Sequence, residues 1–127
     1  KMISLYLDVE ALSKNPLVTI SSHSVSHTDN SKLSEEEETH EMCDSRNTLE
    51  GIARQKIETY IYPSGKVNPE IDEITAKKCG YMLAWSTSFG SDYNGNTGSL
   101  YDLNRIRITS SADSRFFDTI LERKPTK

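Results

Sequence analysis

Leu17-Val18-Thr19-Ile20-Ser21-Ser22-His23-Ser24-Val25-Ser26-His27 is the stretch on which the fold turns. Its apolar, largely β-branched start reads as a buried strand, and its small polar continuation as a loop leaving that strand. Two imidazoles stand four residues apart in the loop, and the chain has only three histidines. Histidine is the commonest protein ligand for zinc and similar metals. In α/β folds the chemical groups gather at the carboxyl ends of strands. A strand over 17–22 ending in His23 and His27 therefore predicts a site.

Outward from this point, helix and strand signals alternate. Residues 6–14 read as a short helix stopped by Asn15-Pro16. After the histidine loop, Ser34 and Glu37 form a capping box, and Glu35 to Glu38 suit the positive end of a helix dipole. That helix is expected to run to about residue 53, with Met42, Leu49 and Ile52 among its buried positions. A strand over 57–62 breaks at the turn Pro63-Ser64-Gly65-Lys66. Asn68-Pro69-Glu70 opens another helix, with Pro in its first turn and Gly80 capping its far end. Strand 81–86, a polar loop over 88–103, strand 105–109 and a helix over 112–123 complete the order. Such alternation argues a parallel sheet with helices outside it. About four strands are few for that architecture. An open sheet edge is expected, and with it a homo-oligomer that covers the edge. The chain starts at Lys1 without an initiator Met, so a missing piece is expected upstream.

Composition sets the outer limits. A chain of 127 residues is long enough for one core, so residues 1–127 read as a single domain. A net charge of −4 gives no electrostatic reason to expect nucleic acid or an anionic membrane as partner. No run approaches the roughly 20 apolar residues of a membrane span, and no signal peptide is visible. Cys43 and Cys79 fall in predicted helices at a spacing that matches no common metal motif. They are expected as buried structural thiols, a disulfide being the alternative in an exported protein.

Four segments then carry a resemblance: SSHSVSHTDNSKLS (21–34), YIYPSGKVNPEI (60–71), KKCGYMLAWSTSFG (77–90) and LYDLNRIRIT (100–109). In order and spacing they resemble the polysaccharide deacetylases of carbohydrate esterase family 4, in the carboxyl-terminal part of one branch. The resemblance implies a partial, distorted (β/α) barrel. It implies a metal-dependent hydrolase, most simply with zinc, removing N-acetyl groups from peptidoglycan, chitin-like or biofilm glycans. It also implies an extracellular or envelope location in a bacterium. His23 and His27 match the family's two metal histidines. The metal aspartate and the general base of the family lie in an earlier pair of aspartates, which this chain lacks; Asp8, in a predicted helix, does not match. Ile61 stands where the third motif often has an Arg. The late histidine that acts as general acid in many members has no counterpart in Asn104-Arg105-Ile106-Arg107-Ile108.

Bound zinc brings its water to a pKa near 7 and polarises a carbonyl, and a catalytic zinc takes three protein ligands plus an open position. Two histidines supply two ligands, and Asp29, though near in sequence, has no strong claim to be the third. Tyr62-Pro63-Ser64-Gly65 matches the segment whose backbone N–H faces the oxyanion, a role for Ser64 that tolerates side-chain change. Tyr62, Pro63, Trp85 and Arg105 are the candidate substrate contacts, with Trp85 equally a core residue. Arg105 and Arg107 alternate on a strand, and one ion pair near the site mouth is expected of them. His40 reads as a solvated surface histidine and Glu35 to Glu38 as an exposed helix face. The rival to a deacetylase is a catalytically incomplete remnant that binds glycan or only folds.

Overall fold

The computed structural model describes residues 2–87, 98–105, 108 and 110–122. Helix α1 spans Met2–Ser13 and ends where predicted, before Pro16. Helix α2 covers Glu35–Thr39, a π-helical turn follows over His40–Asp44, and α3 covers Ser45–Ala53. The predicted capping box is present, since Ser34 Oγ accepts from the Glu37 N–H and the Glu37 carboxylate accepts from the Ser34 N–H. Strand β1 is Thr59–Ile61, α4 is Asp72–Cys79, β2 is Leu83–Trp85 and α5 is Ser114–Glu122. Gly80 ends α4 in the left-handed region at φ 84°, where a side chain would also strike the Arg46 guanidinium.

The sheet is parallel, with Tyr60 opposite Ala84. Ser22 bridges to Tyr60 on one side, and Leu103 to Trp85 on the other, both in parallel. Four segments thus lie side by side in sequence order, an α/β slice in which helices connect Ser22 to β1 and β1 to β2.

Several boundaries differ from the predicted ones. Only Ser22 of the expected strand 17–22 pairs. Asn15 takes the run into a turn, its side chain accepting from the Leu17 N–H and its carbonyl from the Val18 N–H, and Leu17 is 92% exposed. β-branched residues need a neighbouring strand to express their preference, and here they lack one among the described residues. The last parallel contact falls at Leu103 rather than in 105–109, and residues 106, 107 and 109 lie outside the described set. Helix α4 starts later than Asn68, because Asn68 and Asp72 close a turn in which the Asp72 carboxylate accepts from the Asn68 N–H.

The core lies where β1 and β2 meet α3 and α4. Met42, Ile57, Tyr60, Tyr62, Ala76, Tyr81 and Ala84 are buried together. Tyr60 packs edge-on against Tyr62 at 5.2 Å and at a tilt against Tyr81 at 5.3 Å. Cys43 and Cys79 form a disulfide, which corrects the expectation of free thiols and staples the π-helical turn to the end of α4. Arg46 reinforces that junction by donating to the carbonyls of Ile57 and Cys79. Glu38 corrects the reading of 35–38 as wholly exposed. It is completely buried, facing Asp72.

Candidate metal and oxyanion site

The sheet delivers His23 to its carboxyl end. Ser22 donates its N–H to the Thr59 carbonyl and accepts from the Ile61 N–H, so the next residue leaves the ladder beside the end of β1. There His23 Nδ1 lies 2.6 Å from the Ile61 carbonyl oxygen. A carbonyl can only accept, so Nδ1 carries a proton, and in the neutral ring the free lone pair is therefore on Nε2. The His27 ring lies 4.8 Å from that of His23, centroid to centroid, at an interplanar angle of 81°. Both histidines are exposed. The loop between them is tightly wound. Ser24 (φ 69°) and His27 (φ 61°) are both left-handed, and the His27 N–H donates to Ser24 Oγ at 2.7 Å.

Glu41 holds this loop from below. Its Oε2 accepts from the N–H groups of Val25 and Ser26 at 2.9 and 2.8 Å, and its Oε1 from Ser26 Oγ at 2.7 Å. Burial alone would raise the Glu41 pKa, but the donors from Ser26 and Val25 prevail and hold it below the usual carboxylate range. Asp29 closes the loop's far side. It accepts from Ser31 and pairs with Lys66 at 3.0 Å, and these contacts lower its pKa to about 2. The pair ties the histidine loop to the turn that follows β1.

That turn is Pro63–Gly65, a short 3₁₀ segment in which Ser64 is exposed and left-handed at φ 56°. Gly65 is also left-handed (φ 69°), and any Cβ there would overlap the Thr87 side chain. Arg105 fastens the same turn to the end of β2, with Nε donating to the Ser86 carbonyl at 3.0 Å and Nη2 to the Tyr62 carbonyl at 3.3 Å. These carbonyl contacts replace the ion pair expected at the mouth, and Arg107 lies outside the described residues. Burial lowers the Arg105 pKa. Tyr62 and Pro63 are fully buried, and the Tyr62 hydroxyl donates to the Tyr101 carbonyl at 3.0 Å. Tyr62 is thus a core residue with no open ring face in this structure. Trp85 is half-buried. His40 is exposed and pairs with Asp44 at 2.6 Å.

Two imidazoles, one with its tautomer fixed by a carbonyl, suit zinc or a similar borderline cation. No third His, Cys, Asp or Glu joins them among the described residues. Sequence reasoning missed Glu41 and Glu38. Their signal was the helical phase, for residues 38, 41, 42, 45, 49 and 53 share one face and Met42 marks it as inward.

The polysaccharide deacetylase family profile matches residues 6–84. The Bacillus subtilis (strain 168) protein YxkH, described as a polysaccharide deacetylase, is 26% identical over 105 residues, which are 83% of this chain and 37% of that protein. The structure of the Streptococcus pyogenes deacetylase PplD in complex with acetate matches with a TM-score of 0.69 at 31% identity, over 81% of this chain and 44% of that one. BC0361, a polysaccharide deacetylase from Bacillus cereus, matches in fold with a TM-score of 0.75 at 21% identity, over 92% of this chain and 36% of its own. The chain therefore spans under half the length of these relatives. The match to the family profile covers most of the chain and takes in the histidine loop, the Tyr62–Gly65 turn and the start of β2, so this chain belongs to the polysaccharide deacetylase family.

Proposed function

We propose that this chain contributes the histidine pair and the oxyanion turn of a metal-dependent hydrolase that removes N-acetyl groups from a polysaccharide of N-acetylated sugars. The observation that carries the reading is the convergence of His23 and His27 at the sheet end, with His23 Nδ1 bound to a backbone carbonyl. A bound divalent ion, zinc by preference, would polarise the acetamide carbonyl and supply an activated water. His23, through Nε2, and His27 would hold it. The carboxylate that completes such a set is not among the described residues.

Around that centre the chain's own groups position the substrate. The Ser64 N–H, in an exposed left-handed turn pinned by Gly65, Thr87 and Arg105, is the donor we assign to the developing oxyanion. The half-buried Trp85 is the remaining aromatic candidate for a sugar face. Pro63 and Arg105 act by holding the turn. An extracellular or envelope location agrees with the Cys43–Cys79 disulfide, which persists in oxidising compartments. Association with a second copy that covers an open sheet edge belongs to the same proposal, and a clean monomer at high concentration would exclude it.

Acetate release from N-acetylglucosamine oligomers, with zinc or cobalt supplied, tests the activity. Release by the intact protein that is lost in His27→Ala supports it. The second reading, a remnant without catalysis, is favoured by the lack of a third ligand among the described residues. Binding of the oligomers without any acetate release would select it.

A further inference from the structure

Glu41 is buried, 8% exposed, and its carboxylate takes side-chain donors from Ser24 and Ser26 and the backbone N–H groups of Val25 and Ser26, all between the two histidines. Val25 and Ser26 are flanked by Ser24 and His27, both left-handed and neither glycine. Each such residue costs about 1 kcal/mol or more, and the conformation persists only where its surroundings over-determine it. The carboxylate supplies that determination. It gathers two successive N–H groups on one oxygen and a hydroxyl on the other, an anion seated in a concave run of backbone amides.

The base that carries Glu41 is itself anchored. Glu41 sits in the π-helical turn His40–Asp44, a re-phasing of the helix of the kind often found at functional sites. Next to it the Met42 carbonyl accepts from the Tyr81 hydroxyl at 2.8 Å, and Cys43 is bonded to Cys79. Ser45 Oγ meets Ser22 Oγ at 2.7 Å, directly before His23. Helix and loop are therefore joined both ahead of the first histidine and between the pair.

We propose that Glu41 is a positioning residue: its carboxylate holds the Ser24–His27 loop in the wound form that brings the two imidazoles together, and so sets their affinity for a divalent cation. The affinity part rests on the reading of His23 and His27 as metal ligands. Glutamine at position 41 keeps the size but turns one acceptor into a donor, so the Val25, Ser26 and Ser26 Oγ contacts cannot all be kept.

The test uses the intact protein and its Glu41→Gln variant, with two readouts. One is cobalt(II) titration followed by visible absorption. The other is amide hydrogen exchange in the metal-free state. Glu41→Gln is expected to weaken cobalt binding about 10- to 100-fold. It should also speed exchange at Val25 and Ser26 while leaving Tyr62 and Ala84 protected. Ser26→Ala, which removes the hydroxyl with its contacts to Glu41 and Thr28 and keeps both backbone donors, should give a smaller loss of the same kind and serves if the glutamine variant does not fold. Unchanged cobalt affinity together with unchanged loop exchange would overturn the proposal. Exchange that speeds up uniformly through the chain would also overturn it, as the mark of general destabilisation. If the unaltered protein takes up no cobalt while Glu41→Gln still frees the loop amides, the metal reading fails and the hold on the loop stands.

Discussion

His23 Nδ1 and the Ile61 carbonyl oxygen stand 2.6 Å apart, linking the histidine loop to the last residue of β1. The bond decides which ring nitrogen faces outward, because the proton must lie on Nδ1. Alanine at either histidine should therefore lower zinc affinity by more than about 100-fold, beyond what is lost when only a residue that orients a ligand is changed. Zinc content after dialysis against a weak chelator measures this. Full occupancy in both variants would place the metal elsewhere.

Glu38 and Asp72 predict a pH dependence of stability. Both are buried, the two carboxyl groups interact, and one oxygen of each, Glu38 Oε2 and Asp72 Oδ1, has no other hydrogen-bond partner, so the pair favours a shared proton over two charges. Burial, then the hydrogen bond with Asp72 and that group's charge, pushes the Glu38 pKa from 4.5 up to about 9, while Asn30 Nδ2 donates to its other oxygen. Between those values the folded chain holds one proton more than the unfolded chain. The stability from this group is thus complete below the ordinary carboxylate range and is lost as pH rises toward 9. Asp29, lowered to about 2, contributes only to acid loss and does not enter this window. The thermal midpoint should fall from pH 6 to pH 9. Glu38→Gln keeps an acceptor for Asn30 and a donor for Asp72, and should flatten that slope. Parallel slopes for the two proteins would refute the shared proton.

The Cys43–Cys79 disulfide closes an interval of 36 residues. The chain-entropy relation assigns such a loop about 3–4 kcal/mol of stabilisation. The double variant Cys43→Ser, Cys79→Ser should lose about that much in denaturant unfolding, with the midpoint falling and the slope rising as the unfolded chain opens further. A loss under about 1 kcal/mol would mean that packing of α2 and the π-helical turn on α4 suffices without the bond.

Gly65→Ala tests the turn that carries Ser64. The position needs φ near 69°, and the added Cβ would overlap Thr87. Strain and overlap together should cost about 1–3 kcal/mol. Thr87→Gly in the same protein should recover part of that loss, since it relieves the overlap and leaves the backbone strain. No recovery in the double variant would show that the overlap is not the cause.

Much of this arrangement was legible in the sequence, and the failures share a cause. The capping box at Ser34 and Glu37, the left-handed Gly80 and the order of the parallel segments all rest on local signals, and all are present. The strand expected over 17–22 shrank to Ser22 because strand propensity acts only where a neighbour can pair. Tyr62 is on the same face of the chain as Tyr60, two residues away, and that period places it in the core rather than against a sugar. The disulfide joins residues far apart in the chain, and no local pattern announces it. Glu38 and Glu41 were hidden by their charge, although the helical phase that makes Met42 inward carries both inside with it. Arg105 meets carbonyls rather than a carboxylate, a contact set by how the ends of β1 and β2 lie together.

Anomalous diffraction at the zinc edge, on crystals of the intact protein grown with the metal, bears most directly on the histidine pair. We expect a single strong peak about 2.0–2.1 Å from Nε2 of His23 and from a ring nitrogen of His27. Rings turned apart, or a zinc peak bound by other residues, would leave the chain its ancestry and remove its proposed chemistry.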